Sequence, residues 1–398
     1  MKKIAIIGGG LVGLSTAYKL YKYNSKLRIT VFEKELNLGE HQSGKNSGVL
    51  HAGLYYKHGT LKAKMAVDGI RQMTSFCKEN KISYDICGKI VVATNELEQK
   101  TLKNLSINGK KNGLKGLKIL NKNELKKREP FVRSHESLLV PEEGIVDFKM
   151  VLNSLYKHIK NFGGSVLLGH EIKNIFNKNN TTVIQCDNYE NEFDILINCS
   201  GLYSDRIFKK SFKKNNLKII PFRGEYLKLK NESSNLVNHL IYPVPDPNFP
   251  FLGVHFTRTI HGYKEVGPNA VIAFHREGYT NKTVSFYDIF DTFTYPGMYK
   301  FVLKNFSFSL GQLYSSFFTS SFINQAKKLV PDINKNMVEK GTSGVRAQAM
   351  NDSGELIMDF DIKKIGNQIH VLNAPSPGAT SCLAIADYII DKYVLSSL

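Results

Sequence analysis

The sequence contains no tryptophan, only five cysteines and no long apolar run. No stretch approaches the ~18–20 apolar residues that a membrane-spanning helix needs. The apolar run after Met1-Lys2-Lys3 reaches glycine after only four residues, too short for an export signal, so we expect a cytoplasmic protein. The cysteines form no C-x-x-C pair and no spacing typical of metal ligands. This predicts reduced, mostly buried thiols and no metal site at Cys77, Cys87, Cys186, Cys199 and Cys382.

Arginine is scarce although the chain is strongly basic. Nine of the 54 basic residues are arginine and 45 are lysine, and the formal net charge is +19. A protein with a strongly positive net charge can bind nucleic acid, dock on an anionic membrane surface or attract an anionic small substrate. Compositional drift toward lysine and asparagine in loops, such as Asn174–Asn180, is a fourth explanation of the net charge. No regularly basic helix stands out, so we expect no nucleic-acid partner, whereas membrane contact and a solvated lysine face both stay open.

The N-terminal stretch has the pattern of a strand, a turn, a helix and a second strand. Ile4-Ala5-Ile6-Ile7 is a short apolar run bounded by glycine, which is typical of a buried parallel strand. Helical spacing follows to Leu20, and a second apolar run ends in an acid at Glu33. The turn between them has glycine at the G-x-G-x-x-G positions, namely Gly8, Gly10 and Gly13. The pattern therefore predicts a dinucleotide site.

Each residue of this motif has a predicted task. Gly8 allows the tight turn, Gly10 lets the backbone approach a pyrophosphate, and Gly13 lets the helix pack closely on the sheet. The helix N-terminus offers free N–H groups and a positive dipole to the phosphates. Glu33 lies twenty positions after Gly13, where a carboxylate can accept hydrogen bonds from a ribose, and Lys34 follows it. An acid there disfavours a 2′-phosphate, which argues against NADP.

Further segments rich in small residues are predicted to contact the same ligand. Backbone amides can approach a flat ring where side chains are small, and the C-terminal helix presents a second free N-terminus. Such N–H groups would stabilise the pyrimidine edge of a flavin, whose oxygens gain electron density on reduction. Ile172 is a candidate by its order in the chain, at an adenine ring. The other candidates are Ser43, Asn46, Ser47, Gly48, Ser200, Gly201, Pro377, Gly378, Ala379 and Thr380.

Longer motifs make the comparison with a known family specific. They are His41-Gln42-Ser43, the run from Asn46 to Tyr56, the run from Pro221 to Tyr226, the run from Asn238 to Pro243, Pro245-Asp246-Pro247, the run from Phe251 to His255, the run from Val266 to Ala270, the run from Gly344 to Gln348, and the run from Asn373 to Pro377. With the N-terminal fingerprint, this set resembles the L-2-hydroxyglutarate dehydrogenase/oxidase family of the FAD-dependent, D-amino-acid-oxidase-like superfamily. The resemblance extends essentially from end to end. Its mild departures are Leu54, where isoleucine or valine is more usual, and Gly378, where alanine is common.

The predicted fold is α/β, with a Rossmann-like FAD-binding domain interleaved with an α+β substrate domain built on a mostly antiparallel sheet. The chain is too long for one ordinary core, and alternating strands between Ile219 and Ala273 indicate the second domain. We expect FAD-binding segments at 1–85, 145–218 and 336–398, and substrate-domain segments at 86–144 and 219–335. The aromatic stretch Val284–Phe322 has helical spacing and is expected either to pack on the second sheet or to touch a membrane.

The resemblance implies oxidation of L-2-hydroxyglutarate to 2-oxoglutarate with FAD as hydride acceptor. It also implies electron transfer to a quinone or to oxygen, and a peripheral position on the inner face of the cell membrane. Removing the hydroxyl proton requires a base, for which His51 is the first candidate and His255 the second. A dianionic substrate requires cations or donors at two places. The candidates are Arg346, Arg223, Tyr55, Tyr56 and Tyr242, with Arg223 alternatively a buried ion-pair partner of Glu225.

Three other functions stay open at this point. One is an FAD-dependent amine oxidase of the glycine or sarcosine oxidase type. Another is a flavin-bearing protein that uses its charge to bind nucleic acid or a membrane. The third is a glycerol-3-phosphate dehydrogenase, against which the motifs of the middle of the chain argue. Absence of a second G-x-G-x-x-G argues against hydride transfer from NAD(P)H through the flavin.

Overall fold

A computed structural model of the chain describes residues 1–213, 216–246, 252–304 and 319–398. Numbered in chain order within these ranges, the strands are β1 Lys3–Ile7, β2 Arg28–Phe32, β3 Val49–Leu50, β4 Tyr84–Asp85, β5 Lys89–Ala93, β6 Lys118–Leu120, β7 Glu136–Val140, β8 Gly144–Val146, β9 Ser165–Leu167, β10 Asn174–Lys178, β11 Thr181–Cys186, β12 Tyr189–Phe193, β13 Ile195–Asn198, β14 Leu217–Leu229, β15 Leu240–Pro243, β16 His255–Arg258, β17 Lys264–Gly267, β18 Val271–Ile272, β19 Val338–Asn351, β20 Asp361–Ile365 and β21 Gln368–Asn373. The helices are α1 Leu11–Tyr23, α2 Leu61–Glu79, α3 Glu96–Lys111, α4 Lys122–Arg128, α5 Phe148–Asn161, α6 Ser204–Ser211, α7 Phe286–Phe293, α8 Pro296–Lys304, α9 Thr319–Ala326 and α10 Cys382–Ile389. Pro247 and Phe251 of the family motifs, and residues 305–318 of the predicted helical stretch, lie outside the described residues.

A six-stranded sheet contains the predicted dinucleotide motif. Its order is β20-β21-β13-β1-β2-β9, and every neighbouring pair is parallel except the edge pair β20–β21. Helix α1 connects β1 to β2, so the predicted βαβ unit is confirmed. The carboxyl ends of β1, β13 and β21 therefore lie at one edge, where open parallel sheets bind their ligands.

Both faces of this sheet are covered, which explains the unbroken apolar run of β1. Side chains alternate between the faces of a strand. Ile4 and Ile6 face the core formed with α1, α5 and α10, whereas Ala5 and Ile7 face a core that includes the antiparallel strands β10–β12. Each isoleucine is essentially inaccessible to solvent, and such burial stabilises the fold by about 1.5–3 kcal/mol per side chain.

Local signals in the sequence set the ends of several helices. The Thr60 hydroxyl accepts a hydrogen bond from the N–H of Ala63 at 3.2 Å and caps α2, as the sequence predicts. Asn121 and Glu124 form a reciprocal capping box at the start of α4. That helix ends at Arg128, two residues before Pro130, because the residue before a proline avoids helical geometry.

The second large sheet is mostly antiparallel. Its order is β18-β14-β17-β16-β15-β5-β7-β6, with β19 paired to β14, and only β15–β5 is parallel among its described pairs. Helix α9 covers one face through Phe322 and Ile323, and α8 packs on the β14–β19 pair through Met298 and Phe301. No helix within the described ranges combines the length and the apolarity needed to cross a bilayer.

One strand of a predicted FAD-binding segment pairs with the other sheet. β19 lies inside the predicted FAD-binding segment 336–398, but it pairs with β14 along almost its whole length, from Val338 opposite Leu229 to Asn351 opposite Leu217. It therefore belongs to the sheet of the predicted substrate domain. The other domain boundaries stay a prediction.

Candidate active site

The turn between β1 and α1 has no room for side chains at its first and last glycines. Gly8 has a φ of +106°, and a Cβ atom on it would lie 2.5 Å from the carbonyl oxygen of Cys199. A Cβ atom on Gly13 would lie 2.0 Å from the carbonyl oxygen of Gly8. These approaches bring the start of α1 directly against the end of β1, so the first amides of the helix, which lack partners within the helix, face the end of the sheet.

A side cavity of about 460 Å³ opens at this edge of the sheet. Glu33 lines it, and its two carboxylate oxygens accept hydrogen bonds from the N–H groups of Gly9, at 2.8 Å, and Glu35, at 3.0 Å. A carboxylate has about four acceptor positions, so it can still accept hydrogen bonds from a ribose. Other predicted residues line the same cavity: Gly8, Gly10, Lys34, Ser43, Ile172, Ser200 and Gly201. Lys34 also pairs with Glu277 at 2.6 Å.

A central cavity of about 600 Å³ lies between the two large sheets. It shares lining residues with the side cavity, including Gly10, Ser43 and Gly201. The two cavities thus meet at the start of α1. A volume of this size is typical of small-molecule sites, and the pair forms one elongated space with a narrow middle.

One wall of the central cavity is mainly backbone and small side chains. Ser43 accepts a hydrogen bond from the N–H of Leu11 at 3.0 Å, and the Asn46 amide donates to the carbonyl oxygen of Ser43 at 2.9 Å. The Thr380 hydroxyl accepts from the N–H of His51 at 3.2 Å and so ties the loop before α10 to the loop after β3. The predicted residues on this wall are Gly10, Ser43, Asn46, Ser47, Pro377, Gly378, Ala379 and Thr380. Gly13 and Gly48 are not among the described lining residues; Gly48 follows Asn46 in a turn with a φ of +69°.

A second wall of the cavity consists of polar and aromatic side chains from different elements. They follow β3 or belong to β14, β15, β16 and β19 of the second sheet. The predicted residues on this wall are His51, Tyr55, Tyr56, Tyr242, His255 and Arg346. The structure thus brings both histidines, all three tyrosines and one of the two predicted arginines together.

The two histidines differ in their surroundings. His255 stacks on Tyr242 with ring centroids 3.9 Å apart, and its Nδ1 donates to the carbonyl oxygen of Gly253 at 2.8 Å. Burial lowers the pKa of His255 to about 3, so its ring is neutral near pH 7. His51 keeps 19% of its side chain exposed, and its Nδ1 lies 3.6 Å from a carboxylate oxygen of Glu143.

The tyrosines and Arg346 supply hydrogen-bond donors. Burial raises the pKa of Tyr55, Tyr56 and Tyr242, so their hydroxyls keep their protons. The buried Tyr55 hydroxyl has no hydrogen-bond partner among the described residues. Burial lowers the pKa of Arg346, and nearby Tyr226 and Tyr242 oppose that shift; a guanidinium nevertheless remains charged in proteins.

Arg223 lies apart from this group. Its Nε donates to Glu225 at 3.1 Å, and its Nη1 donates to the carbonyl oxygens of Gly278, at 3.3 Å, and Thr280, at 3.2 Å. It is not among the described residues that line the central cavity. Of its two predicted roles, the ion pair with Glu225 is present, and the second clamp stays a prediction.

Four residues of the site were missed by sequence reasoning. Tyr226 and Lys62 line the central cavity, and burial lowers the pKa of Lys62 to about 8. Glu143 and Lys89 form a buried ion pair behind His51. Lys62 and Lys89 are two of 45 lysines, and no local pattern distinguishes them. Tyr226 stands in a family motif and could have been chosen for that reason.

The residues present fit FAD. A long cofactor with a flat ring needs an elongated space, a pyrophosphate site in its middle and small residues beside the ring. The two joined cavities meet at Gly10, where an added Cβ atom would lie 2.8 Å from the Ser43 hydroxyl. At Gly201 it would lie 2.9 Å from the Gln42 side-chain oxygen. Glu33 lines one end of this space and the loop Pro377–Thr380 the other.

A Rossmann-type sheet joined to a second sheet across such a cavity defines a flavin-dependent oxidoreductase, and comparison with known proteins agrees. The family model described as FAD dependent oxidoreductase (DAO) matches residues 3–392. The chain is 44% identical to L-2-hydroxyglutarate dehydrogenase of Indibacter alkaliphilus over 98% of both chains. It is 40% identical to the mitochondrial L-2-hydroxyglutarate dehydrogenase of Homo sapiens, over 98% of this chain and 88% of the human one.

Solved structures share the fold at lower identity. L-α-glycerophosphate oxidase from Mycoplasma pneumoniae with FAD bound has a TM-score of 0.77 at 23% identity, covering 98% of this chain and 94% of that one. Glycine oxidase from Geobacillus kaustophilus has a TM-score of 0.74 at 17% identity, with the same coverage. These likenesses concern the fold alone.

The chain belongs to the FAD-dependent oxidoreductases of the DAO type and, within them, to the L-2-hydroxyglutarate dehydrogenase family. The predicted family, fold class and cofactor are confirmed. As an FAD-dependent oxidoreductase, the protein acts on a small-molecule substrate and passes electrons to an acceptor.

Proposed function

We propose that this chain oxidises L-2-hydroxyglutarate to 2-oxoglutarate. Relatives that are 40–44% identical along nearly the whole chain carry that activity in their names. The observation on which the proposal depends is the convergence of His51 and Arg346 on one cavity that is also lined by backbone and small side chains. A base and a carboxylate-binding fork on one side of a flat ring are what the oxidation of a 2-hydroxy acid requires.

His51 takes the hydroxyl proton in this proposal. Its Nδ1 faces Glu143, which leaves the lone pair of Nε2 for the substrate. FAD, when bound, supplies the acceptor for the hydride that leaves C2. Removal of the O–H proton by His51 lets the C2–O bond become a carbonyl as that hydride departs. The low pKa of His255 makes it a poor base, so it is proposed to accept a hydrogen bond at Nε2 and to orient the substrate.

Arg346 and the tyrosines bind the two carboxylates. The planar guanidinium of Arg346 can bind one carboxylate through two parallel hydrogen bonds. Tyr55, Tyr56 and Tyr242 keep their protons and can therefore donate to the other carboxylate. The buried hydroxyl of Tyr55, which lacks a partner among the described residues, supports this assignment, because buried polar groups in folded proteins normally find a hydrogen bond.

Anaerobic flavin reduction tests the substrate. The purified holoenzyme is mixed with L-2-hydroxyglutarate, its D enantiomer, L-malate, glycine, sarcosine or glycerol 3-phosphate, and the oxidised-flavin absorbance is followed by stopped flow. We expect rapid bleaching by L-2-hydroxyglutarate alone. Bleaching by glycine or sarcosine, with none by L-2-hydroxyglutarate, would instead identify an amine oxidase.

We propose a membrane quinone as the electron acceptor, with oxygen as a slower alternative. We also propose that the enzyme binds to the inner face of the cell membrane. Helix α7 supports this, because its polar side is turned inward and its aromatic side outward. Asp288 is buried and pairs with Arg206 at 2.5 Å. Phe286 and Phe290, one turn apart, are 87% and 71% exposed. Tyr299 and Leu303 of α8 are also exposed, and the chain has a net charge of +19. Such a face suits an anionic bilayer.

Vesicle co-sedimentation tests the membrane contact. We expect the holoenzyme to pellet with vesicles containing anionic lipid and to remain in the supernatant with zwitterionic ones at moderate salt. The double variant Phe286→Ser/Phe290→Ser should stay in the supernatant with both, whereas Phe176→Ser, at an exposed phenylalanine of β10, should pellet like the parent. Equal pelleting of the double variant and the parent would rule out α7 as the contact. Turnover with a soluble quinone analogue and with oxygen, measured side by side, ranks the two acceptors.

A further inference from the structure

A lysine and a glutamate form an ion pair that is completely enclosed behind the central cavity. Lys89 is the first residue of β5, and Glu143 lies in the turn between β7 and β8. Their side chains are 0% and 1% exposed, and the Lys89 Nζ lies 2.6 Å from a carboxylate oxygen of Glu143. Two unlike charges in the interior lose much hydration energy, so such a pair is weak evidence for a role in stability. Its presence calls for another explanation.

The carboxylate of Glu143 reaches the cavity through His51. The Nδ1 of His51 lies 3.6 Å from the same Glu143 oxygen that pairs with Lys89. His51 is the member of the three that lines the cavity. The strand pairing of β3 with β8, with Leu50 opposite Gly144, holds His51 and Glu143 side by side.

A backbone hydrogen bond holds Glu143 in place, and two tyrosine rings hold the side chain of Lys89. The N–H of Gly88 donates to the carbonyl oxygen of Glu143 at 2.8 Å, which holds the start of β5 against the turn. The Lys89 ammonium lies over the rings of Tyr55 and Tyr242, 4.4 and 4.8 Å from their centroids. These rings stabilise the ammonium by cation–π attraction and separate it from the cavity.

We propose that Glu143 is a positioning residue for His51, and that Lys89 sets how strongly Glu143 acts on it. Glu143 attracts the Nδ1–H group and so directs the lone pair of Nε2 toward the substrate. This inference rests on the proposed function, in which His51 takes the hydroxyl proton. A neighbouring carboxylate favours the imidazolium form of a histidine, and the ammonium of Lys89 offsets that effect.

The charges around His51 set the direction of each expected change. Burial lowers the pKa of Lys89 and Glu143 opposes that shift, while Lys89 and His51 lower the pKa of Glu143 to about 2 despite its burial. His255 is neutral near pH 7. The charged, tyrosine and histidine side chains that line the cavity with His51 are Lys45, Tyr55, Tyr56, Lys62, Tyr226, Tyr242, Asp246, His255 and Arg346, and the Lys89–Glu143 pair lies behind it. Of the two anions, Glu143 is the one that lies within 4 Å of the His51 ring. Its removal therefore destabilises the imidazolium, and removal of Lys89 stabilises it.

The test is the pH dependence of flavin reduction by L-2-hydroxyglutarate in three variants. Glu143→Gln should lower kcat on the order of tenfold or more with little change in KM, and it should move the acidic limb of the kcat/KM profile to lower pH by roughly one unit. Lys89→Met should move the same limb to higher pH. The double variant Glu143→Gln/Lys89→Met, which removes both charges, should keep the limb near its original position and still lower kcat. Glu124→Gln, at the exposed Lys118–Glu124 pair, is the matched control and should move nothing.

Opposite movements of the limb distinguish positioning from a structural role. A purely structural pair would alter flavin content or unfolding temperature without moving the limb in two directions, and that result would overturn the proposal. Should a single variant fail to fold because it leaves one buried charge, the double variant decides, and wild-type kcat in it would refute the proposal.

A second measurement separates this inference from the proposed function. Histidine side chains labelled with ¹³C are titrated by NMR in the holoenzyme without substrate, and the His51 signal is assigned with His51→Gln. The His51 titration should move down in pH in Glu143→Gln and up in Lys89→Met. If L-2-hydroxyglutarate does not reduce the parent enzyme, the proposed function fails while this titration still judges the ion pair. If the parent is reduced and the His51 titration stays in place, only the ion-pair inference fails.

Discussion

The two walls of the central cavity recognise their ligands by different means. The wall around Gly10, Ser43 and the loop Pro377–Thr380 presents backbone groups and small side chains. The wall around His51, His255 and Arg346 presents ionisable and aromatic side chains from separate elements. On the first wall a side chain is harmful because it fills the space, and on the second wall its chemistry is what counts.

This difference predicts two kinds of failure. A substitution in the backbone wall should abolish cofactor binding and destabilise the fold together, because the same close approaches serve both. A substitution in the side-chain wall should leave the fold and the flavin in place and slow the reaction or weaken substrate binding.

The largest effect is expected for Gly13→Ala. The new methyl group would lie 2.0 Å from the carbonyl oxygen of Gly8, a backbone atom with no room to move. We expect loss of bound flavin and a fall in the free energy of unfolding of about 3 kcal/mol or more. The flavin-to-protein absorbance ratio and chemical unfolding measure both. Gly366→Ala is the control: it has a φ of +58° but open space around its Cβ position, so it should cost about 1 kcal/mol and keep its flavin. A Gly13→Ala enzyme with full flavin content would contradict this account of the turn.

His51→Ala should have the largest effect on the reaction without affecting the cofactor. Loss of the base should slow flavin reduction by a factor on the order of 10² or more, because general-base catalysis contributes that much. The variant should remain yellow, with normal stability. His58→Ala, at an exposed histidine of the same loop, should reduce its flavin at the parent rate. Flavin reduction at the normal rate in His51→Ala would remove His51 from the mechanism.

Arg346→Lys should weaken substrate binding more than it slows turnover. A lysine keeps the charge but cannot form two parallel hydrogen bonds to a carboxylate, so we expect a rise in KM of about tenfold. Arg223→Lys is the informative comparison, since Arg223 pairs with Glu225 outside the cavity. That variant should lower the unfolding temperature and leave KM unchanged. A rise in KM for Arg223→Lys equal to that for Arg346→Lys would return Arg223 to the substrate site.

The contrast between these arginines shows why part of the site was beyond sequence reasoning. Arg223 belongs to β14 and Arg346 to β19, and these two strands pair with each other. Phe222 lies opposite Arg346, and Arg223 lies opposite Val345. Directly paired residues share a face and neighbours along a strand alternate. The two arginines therefore point to opposite faces, and only the pairing register decides which of them reaches the cavity. Neither strand contains that register in its own sequence.

Features set by nearby residues were predictable, and those set by distant ones were not. The Gly8–Gly13 turn, the Thr60 cap and the end of α4 before Pro130 depend on a few consecutive residues, and all three are present in the structure. The Lys89–Glu143 pair joins residues far apart in sequence through the pairing of β3 with β8 and the contact of Gly88 with Glu143. A resemblance to a known family supplied His51 and Arg346 but gave no sign of this pair.

The smallest expected effect concerns the pH dependence of stability, to which each of the two large sheets contributes one buried histidine. Burial lowers the pKa of His255, on the side-chain wall, to about 3, and that of His370, in β21 of the dinucleotide sheet, to about 4. In the unfolded chain both return to about 6.5. The unfolded state therefore binds more protons below that pH, and the stability, complete above it, is lost as pH falls through 6.5 toward the folded values. Each histidine should lower the free energy of unfolding by roughly 1 kcal/mol at pH 6.

His370→Gln and His255→Gln should each flatten the slope of unfolding free energy between pH 7.5 and 6, whereas His58→Gln, at an exposed histidine, should not. Substrate reduction of the flavin should survive in His370→Gln and suffer in His255→Gln. Equal effects of the two variants on flavin reduction would mean that His255 acts on the reaction only through the stability of the fold.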